Sequence, residues 1–125
     1  MKGGDTFLRG GAKKHLWVVV SDPAANPTDP VLIVSLTTHQ RRLESACTLM
    51  PGDHRFVTHK TVIHYRMAEL ESNANLDSKI GKHLLDSHDP MASDVLKRIR
   101  VGAAKSKHLR RECRRLLASQ GLIDC

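Results

Sequence analysis

Two short runs, Leu16-Trp17-Val18-Val19-Val20 and Val31-Leu32-Ile33-Val34-Ser35-Leu36, constrain the fold more than anything else in this chain. Both are rich in β-branched residues and too apolar to face water, which predicts a pair of buried strands. Val18, Val20, Ile33 and Leu36 are therefore predicted core. Ser21-Asp22-Pro23 stops the first run, and Ala24 to Pro30, with two prolines, suits an exposed hairpin loop. Ala46 to Met50 and Thr61 to Met67 supply further strands. Pro51-Gly52 predicts a type II turn, because proline presets the first central position and glycine takes the positive φ of the second. The polar residues after it are expected to project from a loop, with Asp53 stabilising its own turn through an Asx hydrogen bond.

The C-terminal part has helical spacing instead. Asp89 is the predicted cap and Pro90 the first helical residue, after which Met91, Val95, Ile99 and Gly102-Ala103 recur on one face. Ser106 is the predicted cap of a second helix with Leu109, Cys113, Leu116 and Leu117 inward and Gly121 as its stop. Between sheet and helices, Ser72 to Pro90 is polar, and Ile80, Leu84 and Leu85 suffice for only a short strand or helical turn. Gly3-Gly4 and Gly10-Gly11 are expected to mark a flexible lead-in, since neither precedes a helix as a phosphate-binding glycine loop would. The expectation is one α+β domain over residues 1–125, mainly β, with a small barrel over 11–90 and basic helices over 91–125.

Charge is distributed unevenly. Residues 1–90 hold 11 Lys+Arg and 10 Asp+Glu, net +1, whereas residues 91–125 hold 9 Lys+Arg and 3 Asp+Glu, net +6. A basic tail of this kind favours a polyanion through phosphate contacts indifferent to sequence, or else forms a solvated helix face. Lys107, Arg110, Arg111, Arg114 and Arg115 are the phosphate-binding candidates, with Lys60 from the loop before the last strand. No run approaches the ~20 apolar residues of a membrane span, and Met1 to Ala12 lacks the apolar segment of a signal peptide, so a cytoplasmic location without membrane contact is expected. The three cysteines, Cys47, Cys113 and Cys125, are widely separated and are expected to be reduced. Cys47, His54, His59 and His64 share a window, but Cys-x6-His-x4-His-x4-His matches no compact zinc site, so neither metal nor other cofactor is expected.

Chemistry concentrates where imidazole, hydroxyl and amine groups occur together: the two strand ends and the Pro51-Gly52 loop. Metal-free RNA cleavage needs a base for the 2′-hydroxyl, an acid for the departing 5′-oxygen and a cation for the extra phosphate charge. His15, His54 and His59 are the proton-transfer candidates, since an unperturbed imidazole titrates near 6.5. Lys14 and Lys60 are the cations, and Thr37 or Thr38 a hydroxyl donor to phosphate. No Gly-x-Ser-x-Gly elbow, cysteine nucleophile context or carboxylate pair supports another hydrolase.

The order Lys13-Lys14-His15-Leu16-Trp17-Val18-Val19-Val20-Ser21, proline-rich loop, strand ending Leu36-Thr37-Thr38, hairpin, strand pair and late helix resembles the MazF/PemK/Kid toxin family over about Gly11 to Ala104. That resemblance implies a small SH3-like barrel with a terminal helix, usually a homodimer. It also implies a metal-independent endoribonuclease held inactive by an antitoxin. The family commonly enters its first strand with Arg-Pro, whose arginine is catalytic; here Lys14-His15 stands in that place, while the family's hydroxyl is kept as Thr37 or Thr38. Two other functions are compatible with the same features: a non-catalytic barrel that binds nucleic acid or a protein, and, from a toxin cousin, inhibition of a protein target such as a topoisomerase.

Overall fold

A computed structural model describes residues 1–10 and 13–124; Gly11 of the expected glycine lead-in and the Cys125 thiol lie outside the described residues. The chain forms six strands and three helices: β1 (Thr6–Arg9), β2 (His15–Val19), β3 (Pro30–Thr38), β4 (Thr48–Leu49), β5 (Thr61–Ser72), α1 (Asn73–Gly81), β6 (Asp86–His88), α2 (Ser93–Lys105) and α3 (Arg111–Ser119). The strands make one antiparallel sheet of order β4-β5-β3-β2-β1-β6, curled as a half-barrel. The mainly β, α+β class follows.

The apolar runs are continuous because the sheet is covered on both faces. Leu16, Val18, Val20, Leu32, Val34 and Leu36 point to one side, where Val95, Ile99 and Ala103 of α2 and Cys113 and Leu117 of α3 meet them. Trp17, Val19, Val31 and Ile33 point to the other, against Phe7, Leu76 of α1 and Leu85. The predicted core residues Val18, Val20, Ile33 and Leu36 are all buried. On the first face the contact is closest at Gly102, where a Cβ would stand 2.4 Å from the Tyr65 hydroxyl oxygen and 2.7 Å from Cys47 Cβ. The Tyr65 hydroxyl donates to the Ile99 carbonyl at 2.6 Å, tying α2 to β5.

Several local expectations change. The lead-in contains a strand, for β1 pairs with β2 and with β6, and the sheet thus begins at Thr6 rather than at residue 11. Ser72 to Pro90 holds both a helix and a strand, and of its three apolar residues Leu85 is buried while Leu84 is exposed. Helix α2 starts at Ser93, three residues beyond Pro90, because the Asp89 carbonyl is occupied in accepting from Thr6 and His54. Ser106 caps the turn between the helices, accepting from the His108 and Leu109 amides at 3.1 and 3.2 Å, whereas α3 begins only at Arg111. Gly121 does follow the last turn of α3, at φ +71°. The Pro51-Gly52 turn forms with Gly52 at φ +104° and the Asp53 amide donating to the Met50 carbonyl at 3.0 Å. The Asp53 carboxylate reaches back to the Met50 amide at 2.8 Å and pairs with Arg98, rather than closing an Asx turn. Cys47 and Cys113 are buried free thiols, and no helix among the described residues is long and apolar enough to cross a membrane.

Candidate active site

Antiparallel register brings the predicted strand ends together. Trp17 of β2 faces Ser35 of β3, so two residues further the start of β2 at His15 lies beside the end of β3 at Thr37. Thr37 and Thr38 in turn face Val62 and Thr61 at the start of β5. His15 shares a sheet face with Trp17, and Thr37 with Ser35, because alternate residues of a strand point the same way. Helix α1 covers this face only around Trp17, Val19, Val31 and Ile33. The polar end stays open.

There a cleft of about 240 Å³ is lined by Lys13, Lys14, His15, Thr37, Thr38 and His59, with Leu36, Gln40, Phe56 and Thr61 completing its walls. Five of the six predicted catalytic residues thus share one concavity. His15 Nδ1 lies 3.2 Å from the Leu36 carbonyl oxygen. A carbonyl only accepts, so Nδ1 carries the proton of that bond, and in the neutral ring Nε2 keeps a lone pair. His59 is held between two hydroxyls, Thr38 Oγ1 at 2.9 Å from Nε2 and Thr58 Oγ1 at 3.2 Å from Nδ1. A hydroxyl both donates and accepts, so this pair serves the neutral and the charged ring alike. Lys14 Nζ pairs with Asp86 at 3.0 Å, but both side chains are at least half exposed, and a pair of that kind is worth about 0–1 kcal/mol.

His54 does not belong to this group. It is buried, its Nδ1 accepts from the Phe56 amide at 3.0 Å and its Nε2 donates to the Asp89 carbonyl at 2.6 Å. With both nitrogens committed it fixes the Pro51–Val57 loop to the segment before α2, and the expectation of a loop-borne proton carrier is corrected to a structural histidine. Lys60 is exposed but does not line the cleft. The tail candidates lie elsewhere: Arg110 pairs with Glu112, Arg114 donates to the Ala104 carbonyl at 2.7 Å and to the Ser106 carbonyl, and Lys107, Arg111 and Arg115 are exposed. None of these five lines the cleft.

Cys47, His54, His59 and His64, the residues weighed for zinc, fall in different surroundings: Cys47 under α2, with burial pushing its thiol pKa up, His54 against Asp89, and His59 in the cleft. Among the described residues no group of three or more His, Cys, Asp or Glu side chains is placed to hold a metal ion.

Sequence inspection missed Lys13 and Phe56. Phe56 is 38% exposed at the cleft wall, in a T-shaped contact with His88 at 6.1 Å between ring centres. An exposed aromatic in a chain with only 3% aromatic residues was the available signal. Comparison of the chain with protein-family models, with curated proteins and with solved structures returned no match.

Proposed function

We propose that the protein is a toxin-like endoribonuclease that cleaves RNA without a metal ion, built on a divergent barrel of the MazF/PemK type. The observation that carries this is the convergence of Lys14, His15, Thr37, Thr38 and His59 on one cleft. The unprotonated Nε2 of His15 takes the proton of the RNA 2′-hydroxyl, whose oxygen attacks the adjacent phosphorus. Protonated His59 exchanges its longer bond, to the Thr58 hydroxyl, for the departing 5′-oxygen and gives it the Nδ1 proton, while the Thr38 hydroxyl keeps hold of Nε2. Lys14 and Thr37 face the non-bridging oxygens and offset the charge that develops there. The products are a 2′,3′-cyclic phosphate and a 5′-hydroxyl, so the proton taken at one histidine equals the proton given at the other.

An antitoxin that covers the cleft and a homodimeric assembly belong to the same proposal, and both come from the family resemblance. The test is incubation of the purified protein with mixed-sequence RNA in EDTA. Fragments ending in 2′,3′-cyclic phosphate support the assignment, and intact RNA, or cleavage abolished by EDTA, overturns it.

A further inference from the structure

A second hollow of about 240 Å³ is built from the next residues of the same two segments, the loop after β3 and strand β5: Gln40 and Thr61 line the cleft, whereas Arg42, His64, Arg66 and His108 line the hollow. A shallower depression then shares Arg42 and His108 and adds Lys105 and Lys107. His64 of the hollow lies on the same sheet face as Thr37 and His15 of the cleft, since Ser35 faces His64 where Thr37 faces Val62, and His15 is near enough for its charge to act on His64. Cleft and hollow thus adjoin through His15 and His64, and with the depression they make one trough.

The position of Arg66 follows from an irregularity in β5. Ile33 faces Glu69 whereas Ser35 faces His64, so β5 spends five residues where β3 spends two. The surplus bulges outward and leaves Arg66 and Met67 exposed. Arg66 then reaches His108, donating to its Nδ1 at 3.1 Å.

Around these cations positive charge exceeds negative, with Arg42, Arg66, Lys105 and Lys107 set against Glu44. Among the described residues neither Arg42 nor Arg66 pairs with a carboxylate. Glu44 is the one acid lining the hollow and the depression, and its two oxygens are taken by the Ser106 hydroxyl at 2.5 Å and the Lys107 amide at 2.7 Å. Burial first, with Arg66 and His15 nearby, pushes the His64 pKa down.

We propose that this trough is the track for single-stranded RNA beside the scissile phosphate, Arg42, Arg66 and His108 holding the neighbouring phosphodiester and Lys105 and Lys107 the one beyond. The α3 arginines lie off this path. The scissile position rests on the cleavage assigned to the cleft, but occupancy of the trough does not, and the experiment separates the two.

The probe is a fluorescent eight-nucleotide RNA titrated with the full chain and with the Arg42→Gln/Arg66→Gln double variant across a range of KCl concentrations. In parallel, kcat/KM is measured for that RNA and for a dinucleotide. Losing the two arginines of one phosphate contact flattens the plot of log affinity against log salt by about 0.7, the usual slope per contact for single strands. The preference for the octamer over the dinucleotide falls about tenfold or more. A slope and preference equal to those of the wild type overturn the track, even if the wild type cleaves. A flattened slope in a protein that binds without cutting supports the track and overturns the cleavage assignment. Wild-type protein that neither binds nor cuts overturns both. Arg42 and Arg66 are exposed, so the variant is expected to keep its fold; Lys105→Gln/Lys107→Gln, at the far end, repeats the slope measurement independently.

Discussion

His54, His59 and His64 lie within eleven positions of sequence yet meet three different environments, and each predicts a different phenotype. His15→Ala and His59→Ala are expected to lower RNA cleavage by about two to four orders of magnitude, the usual span for a lost general acid or base. Their melting temperatures should stay close to the wild type, because both side chains are exposed at the cleft; full activity in both variants contradicts the assignment. His54→Ala should do the reverse. It strips one of two donors from the Asp89 carbonyl, which keeps the Thr6 hydroxyl, and the acceptor from the Phe56 amide, costing about 1–3 kcal/mol in all, visible as a lower urea midpoint. His64 sets a pH dependence. Its folded pKa is pushed below the ordinary 6.5, so between the two values the unfolded chain binds a proton that the folded chain refuses. Stability therefore begins to fall as pH drops through about 6.5 and the loss is complete below the folded value. His64→Asn should show a smaller drop in melting temperature between pH 7.5 and 5.5 than the wild type.

At the scale of elements, the docking of α2 on β5 depends on a residue without a side chain. Gly102→Ala forces its methyl against Tyr65 and Cys47 and is expected to cost about 1–3 kcal/mol, the usual range for overpacking, read from equilibrium denaturation. An unchanged midpoint would mean that α2 can slide. On α3, Arg114 and Arg111 differ although both are arginines on the same helix. Arg114 satisfies carbonyls at the end of α2, whereas Arg111 is exposed, so Arg114→Gln should destabilise and Arg111→Gln should not. The faces of both helices were legible in the sequence, since three-and-four spacing is a local property. The start of α2 was not: Asp89 and Pro90 have the right types for a helix entry, but strand β1 and His54 claim the Asp89 carbonyl first.

For the molecule as a whole, a sheet covered on both faces leaves no direction in which Ile33 could reach water. Ile33→Asp buries an unpaired charge and is expected to prevent folding; soluble, cooperatively melting variant protein would contradict this. Burial on both sides is also why β2 and β3 could be recognised from their unbroken apolar runs, while β1 and β6, short elements with mixed patterns at one end of the sheet, could not. The candidate cleft was legible to the extent that it sits at the ends of those two strands, where Lys14-His15 and Thr37-Thr38 must lie close once β2 and β3 pair. Amino-acid order by itself determined what depends on near neighbours: strand and helix periodicity, the Pro51-Gly52 turn, the concentration of charge toward the C-terminus and the residue types gathered at the strand ends. Tertiary structure alone decided that His54 turns inward, that Thr6–Arg9 joins the sheet and that Arg42, Arg66 and His108 extend the cleft into a trough. Those outcomes rest on partners 35 residues away for His54, 42 for Arg66 and 83 for Thr6. No local pattern encodes such pairings, because they exist only after the sheet has brought distant segments into hydrogen-bonding distance.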